Sequence, residues 1–128
     1  MSGELVLLDS VILIDHFNGH SAATKYLREV ADRAVVSALT RAEILAGFEG
    51  TDLEIARQLL DRFPCLSIDQ EVADIAARLR RDRHWRLPVA LQAAVATHHG
   101  LSLATRNSRD FDTDRDHFVV IPYRISVG

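Results

Sequence analysis

Apolar positions along the chain fall into short blocks that switch between a strand-like and a helical period. Leu5 to Leu8 is a continuous apolar run ending at Asp9, the pattern of a strand buried on both faces in a parallel sheet. Val11 to Phe17 is β-branched enough to be strand, but Ser10 as a cap and Gly19 as a stop predict a short helix. Ser21 is placed to cap a second helix, in which Tyr26, Leu27, Val30, Ala31 and Ala34 recur at nearly helical spacing; a short strand at Val35 to Ser37 follows. Thr40-Arg41-Ala42-Glu43 and Thr51-Asp52-Leu53-Glu54 each have the form of a capping box, which puts two helix starts at Thr40 and Thr51, the second helix closed by Pro64. Leu66 to Ile68 reads as a strand, and Asp69 caps a helix to Arg83 with Val72, Ile75, Ala76 and Leu79 on its apolar face. Pro88 at a first helical position and Gly100 just past the end bracket a helix from Val89 to His99, and Leu101 to Thr105 and Phe118 to Ile121 supply the last strands.

Strands alternating with helices over short loops predict an α/β fold, a three-layer α/β/α sandwich with a mostly parallel central sheet. The 128 residues, 48% hydrophobic and 26% charged, suit one domain spanning 1–128 with one core. A net charge of −3 means that any contact with a polyanion must be local. Cys65 is the only cysteine, which excludes an internal disulfide and fits a reducing compartment; its apolar neighbours suggest a buried structural thiol. Met1 to Leu8 has no basic stretch, and its apolar run is too short for a signal peptide or a membrane span, so a cytoplasmic protein without membrane attachment is expected.

In an open parallel sheet, functional groups collect beyond the carboxyl ends of the strands. Asp9 ends the first strand, Glu43 opens the helix after the second, and Asp110 follows the strand that includes Thr105, so all three acids are expected at one edge. Each also has a structural use: Asp9 as a cap, Glu43 in its capping box, Asp110 as a solvated loop acid. Clustered carboxylates repel each other, and a hard divalent cation such as Mg²⁺ or Mn²⁺ relieves that repulsion. Such a site suits hydrolysis of a phosphodiester.

Other signals are weaker. Asp110, Asp112, Asp114 and Asp116 alternate like a Ca²⁺ loop, but the required glycine and glutamate are missing. His16 and His20, and His98 and His99, have no cysteine or glutamate partners in a metal-binding pattern. A phosphoacceptor receiver domain has a similar layout but needs an early acidic pair and a late lysine, and the sole lysine is Lys25. Arg78, Arg80, Arg81, Arg83 and Arg86, with His84 and Trp85 among them, form the one concentrated basic segment. Its bland reading is a helix end complementing the macrodipole. Arg80, Arg81, Arg83 and Arg86 are also the best candidates for phosphate contact, with the aromatic available to stack on a base.

Four segments, in order, resemble the successive motifs of PIN domains, particularly VapC toxins. They are Leu7-Leu8-Asp9-Ser10 with Val11 to Asp15; Ser37 to Gly47; Leu87-Pro88 with Ala90-Leu91 and Ala93-Ala94; and Thr105-Arg106-Asn107-Ser108-Arg109-Asp110-Phe111. The resemblance spans nearly the whole chain. It implies a Mg²⁺- or Mn²⁺-dependent endoribonuclease, the toxin half of a toxin–antitoxin pair, held inactive by a VapB-type antitoxin and assembled as a homodimer. Asp9 and Glu43 take the family's metal-pocket positions and Asp110 that of its late acid, all three as catalytic and metal residues; Ser10, Thr105 and Asn107 line the pocket. The apolar face of the helix beginning near Ser21 is a candidate dimer or antitoxin surface.

The pattern breaks at two places. The family places an aspartate immediately after Leu-Pro where this chain has Val89, and Val11 stands where a polar residue is common. Valine has no lone pair, so weaker metal binding is expected. Gln92, three positions on and on nearly the same helix face, is a candidate pocket-lining group whose amide oxygen would partly substitute. The rival reading is a PIN domain that no longer cuts and serves as an RNA- or antitoxin-binding module.

Overall fold

The computed structural model describes residues 4–125; Met1 to Gly3, part of the segment read above for a leader, lie outside the described residues. In chain order the elements are β1 (Val6–Leu8), α1 (Ser10–Phe17), α2 (Ser21–Val30), β2 (Ala34–Ser37), α3 (Ala38–Ala46), α4 (Gly50–Leu60), β3 (Cys65–Leu66), α5 (Gln70–Arg83), α6 (Leu87–His99), β4 (Ser102–Ala104) and β5 (Val119–Val120). The strands form one sheet in the order β3-β2-β1-β4-β5 with every pairing parallel. Val6 pairs with Ala34 on one side and with Ser102 on the other, so β1 is central and paired along both edges.

Side chains alternate along a strand, and the alternation assigns the two helical layers. Leu7, Val35 and Leu103 pack with Val72 and Ala76 of α5 and with Ala90, Ala93 and Ala94 of α6. Val6, Leu8, Ala34, Val36 and Ala104 face the other way, onto Ile12 and Leu13 of α1, Leu27 and Val30 of α2, Ile44 of α3 and Ala56 and Leu60 of α4. The chain is therefore the three-layer α/β/α sandwich that its periodicity predicts. Small residues at consecutive positions of α6 let that helix lie close to both sheet and α5. Among the described residues no helix is long and apolar enough to cross a membrane.

Several helix starts differ from the sequence reading. Asp9, not Ser10, caps α1, its Oδ1 accepting from the Ser10 amide at 2.9 Å. Ser37 caps α3 by accepting from the Thr40 amide at 3.1 Å, so Thr40 and Glu43 lie inside the helix and not at its mouth. The helices at Ser21 and Thr51 begin after His20 and Glu49, neither of which caps through its side chain. Asp69 does cap α5, and Gly100 ends α6 at φ +66°, a left-handed conformation that glycine adopts without strain. Cys65 is exposed rather than buried, because β3 is a two-residue strand at the sheet edge with little to cover it.

Candidate functional site

From β1 the chain moves outward through β2 and β3, then crosses back to β4 on the other side. The direction reverses between β1 and β4, and a crevice opens beyond the carboxyl ends of such neighbours. Asp9 follows β1, Ser37 ends β2 and Thr105 follows β4. The Asp9 amide donates to the Ala104 carbonyl at 2.9 Å, tying the strand ends together.

The Asp9 carboxylate is held from three directions. Oδ1 accepts from the Ser10 amide at 2.9 Å and from Gln92 Nε2 at 3.0 Å, while Oδ2 accepts from the Thr105 hydroxyl at 2.6 Å. Each carboxylate oxygen has about two lone-pair sites, so Oδ1 is filled and one site remains on Oδ2. Glu43 is exposed as a residue, yet its carboxylate lines the cavity beside Asp9. Burial pushes its pKa up and the Asp9 charge adds to this, against a hydrogen bond from Ser10 that pulls it down. A carboxyl whose pKa is raised on folding favours its neutral form, so ionised Glu43 costs stability at pH values above its ordinary range. Glu43→Gln is accordingly expected to stabilise the metal-free protein at pH 7, by less than about 1 kcal/mol because solvent screens the group. Thermal melts with chelator check this, and a lower Tm for the variant would contradict it.

The two acids share a cavity of about 120 Å³ with Ser10, Arg86, Pro88, Val89, Gln92, Asn107 and Phe111. That is room for about four waters at bulk density. It has room for a small hydrated ion. Val89 stands on the wall without an oxygen to offer. Gln92 does not offer one either: its Oε1 accepts from Ser37 Oγ at 2.7 Å, and its Nε2 faces Asp9 and the Thr40 hydroxyl.

Asp110 stands apart from this pair. Its Oδ2 accepts from Asn107 Nδ2 at 2.8 Å and lies 3.6 Å from Arg86 Nη2, and its carbonyl accepts from the Trp85 indole at 3.0 Å. Those bonds hold it in the loop beyond Asn107, where it borders a different hollow. Among the described residues no group of three or more His, Cys, Asp or Glu side chains is arranged to hold a metal ion. What the structure brings together is a pair of acids. Mg²⁺ is commonly bound by one or two carboxylates with the rest of its shell water. One free site on Asp9, the Glu43 carboxylate and a cavity with room for water fit that pattern.

Comparison with known proteins bears on what this arrangement is. The PIN domain family model matches residues 6–115. The chain is a PIN domain. A chain of a toxin-antitoxin complex from Klebsiella pneumoniae is 33% identical, with a TM-score of 0.85 over 94% of this chain and 99% of that one. FitAcB from Neisseria gonorrhoeae is 22% identical, with a TM-score of 0.73 over 94% of this chain and 100% of its own. VapBC2 from Rickettsia felis, bound to a promoter DNA fragment, is 17% identical with a TM-score of 0.74 over 91% and 97%. At those last two identities the likeness is one of fold. No curated protein matches the chain.

The basic segment of this PIN domain divides. Arg83 binds Asp116 through both terminal nitrogens, at 2.7 and 3.0 Å, and lies over the Trp85 ring at 4.2 Å. It is internal architecture. Trp85 is buried against Phe111, so it is not placed to stack on a base. Arg80, which also donates to the Trp85 carbonyl, lines an open groove with Arg81, His84 and Arg86. Arg86 borders both this groove and the acidic cavity, and its side chain is 76% exposed.

The sequence reading missed two groups. Ser37 and Thr40 fit a strand end and a capping box by their spacing, whereas both hydroxyls meet Gln92 in the interior. Asp15, only 3% exposed, accepts from Arg106 Nε at 2.6 Å, Arg106 Nη2 at 2.9 Å and the Tyr123 hydroxyl at 2.8 Å. An acid inside the apolar run Val11 to Phe17 is the signal that would have found it.

Proposed function

We propose that this PIN domain is the toxin of a toxin–antitoxin pair, a Mg²⁺- or Mn²⁺-dependent endoribonuclease restrained by a VapB-type antitoxin. The observation that carries the reading is the junction of an acid-lined cavity with an arginine-lined groove, bridged by Arg86. The 33% identity to a chain of a toxin-antitoxin complex supports the biological setting. A homodimer in the cytoplasm goes with it.

When bound, the cation supplies an activated water and neutralises charge on the scissile phosphate. The chain's part is to prepare for both. Asp9 and Glu43 hold the ion, Asp9 being fixed by Thr105, Gln92 and the Ser10 amide. Because the arginine-lined groove adjoins the cavity, the RNA backbone runs along the groove past its mouth, with Arg80 and Arg81 beneath it and Arg86 between groove and acids. Asp110 serves by orienting Asn107 and Arg86 at the rim. For the antitoxin, the best-suited surface is a hollow of about 350 Å³ between α2 and α4. Leu27, Ala31, Leu59 and Phe63 line it and Arg28 and Arg62 flank it, which suits an acidic amphipathic segment.

Val89 favours a second reading, that of a module which binds RNA or antitoxin without cutting. The two readings part in one experiment on RNA cleavage by the purified protein with Mn²⁺ or Mg²⁺. The nuclease reading expects wild-type cleavage that chelation stops, and half-maximal cleavage at a lower Mn²⁺ concentration in Val89→Asp, which adds a ligand to the wall. Cleavage by Val89→Asp alone would establish the binding module instead. The added acid should also lower the metal-free Tm and increase the rise in Tm on adding Mn²⁺.

A further inference from the structure

We infer that Gln92 is a positioning residue, whose carboxamide fixes the Asp9 carboxylate so that a single oxygen site remains for the cation. The inference rests on the metal-site reading above and adds to it a residue that acts only through another.

A carboxamide at this position needs a reason. Gln92 is 3% exposed and sits on the α6 face that buries Ala90, Ala93 and Ala94. An amide buried without partners costs about 1–3 kcal/mol, so an apolar residue would be the ordinary occupant. Here every polar atom is engaged: Oε1 with Ser37 at 2.7 Å, Nε2 with Thr40 at 2.8 Å and with Asp9 at 3.0 Å. The orientation of the amide is forced. A carboxylate can only accept, so nitrogen must face Asp9, and oxygen then faces the Ser37 hydroxyl. Ser37 is held in turn by the Thr40 amide at the start of α3. Three elements, β2, α3 and α6, thus fix one oxygen of Asp9 through one side chain.

The location of the network gives it a purpose. Val89, one turn back on the same helix, faces the cavity with no oxygen, so Asp9 has fewer partners in holding an ion and its aim matters more. Groups behind a metal ligand typically contribute 10–100-fold to affinity or activity.

The test compares wild type with Gln92→Met, which keeps length and apolar volume but loses both donors. Mn²⁺ affinity is measured by EPR, RNA cleavage by kcat and KM, and folding by Tm. The expected result is Mn²⁺ binding weakened by about 10-fold or more and kcat lowered similarly, with KM for RNA unchanged. Equal Mn²⁺ affinities in the folded variant would overturn the positioning role and leave the nuclease reading standing. Mn²⁺ binding that depends on Gln92 in a protein that cleaves no RNA would support the role and sink the nuclease reading. If Gln92→Met does not fold, the wild-type side-chain amide signals decide by NMR. They are expected to shift as Mg²⁺ is added, and signals that stay in place at saturation would overturn the role.

Discussion

Asp9→Asn is expected to abolish cation binding and RNA cleavage together in a protein that still folds. The bonds around Asp9 explain both halves. An asparagine oxygen in the Oδ1 place still accepts from the Ser10 amide and Gln92, and its nitrogen meets the Thr105 hydroxyl, which can turn to accept. The buried Thr105 proton alone loses its acceptor, since that hydroxyl already accepts from the Asn107 amide, so stability should fall by only about 1–3 kcal/mol. The one oxygen site left open for a cation, however, becomes an N–H, and the negative charge that would attract the ion is gone. Because the proposed site makes Asp9 a direct ligand of the ion, its loss should exceed the 10–100-fold typical of groups behind a ligand, reaching at least about a hundredfold in Mn²⁺ affinity and in kcat/KM. Undiminished Mn²⁺ affinity in the asparagine variant would place the cation elsewhere.

The largest effect on stability should come from Arg106→Met. Asp15 is almost wholly buried, and the guanidinium of Arg106 grips it with two bonds while Tyr123 adds a third. Burial pushes the Asp15 carboxyl up, but the hydrogen bonds from Arg106 and Tyr123 and the Arg106 charge outweigh it and hold the group below the ordinary carboxylate range. Removing one partner of a buried pair leaves an uncompensated charge, which costs about 3–5 kcal/mol. For a domain of this size that is a fall in Tm of roughly 10–20 °C. The pH dependence has a definite sign. With its pKa depressed in the fold, Asp15 contributes stability above its unfolded value of about 3.9, and that contribution is lost as pH falls through the folded value. The gap between wild type and Arg106→Met should therefore be widest near neutrality and close in acid. Asp15→Asn in the Arg106→Met background should recover part of the loss, and equal melting of wild type and Arg106→Met at pH 7 would show that the pair does not secure the fold. Arg106 lies between Thr105 and Asn107, so this ion pair also anchors the loop that reaches the cavity.

The layers were legible because strands buried on both faces leave short apolar runs such as Leu5 to Leu8, and helices such as Gln70 to Arg83 keep an apolar face. Helix starts were less so. Ser37-x-x-Thr40 and Thr40-x-x-Glu43 are overlapping cap patterns, and only the end of β2, set by pairing with β3, chooses between them. Cys65 misled for a related reason: apolar neighbours in sequence do not reveal that a strand is at the sheet edge. That Asp9, Ser37 and Thr105 gather at the carboxyl edge was readable, since each follows or ends a strand. Which acids meet there was not readable, because side-chain partners decide it: Asn107 and Arg86 claim Asp110, while Thr105 and Gln92 claim Asp9. In the basic segment, Asp116 takes Arg83 from across the fold, a pairing that spacing along the chain does not show.

Crystals soaked in millimolar Mn²⁺ and measured for anomalous scattering test most directly whether two carboxylates suffice. The expected map has one Mn²⁺ peak within bonding distance of Asp9 and Glu43, its remaining ligands water, with neither Asp110 nor residue 89 contributing an oxygen. A cavity without a peak at that concentration, or a peak centred on Asp110, would contradict the two-acid site.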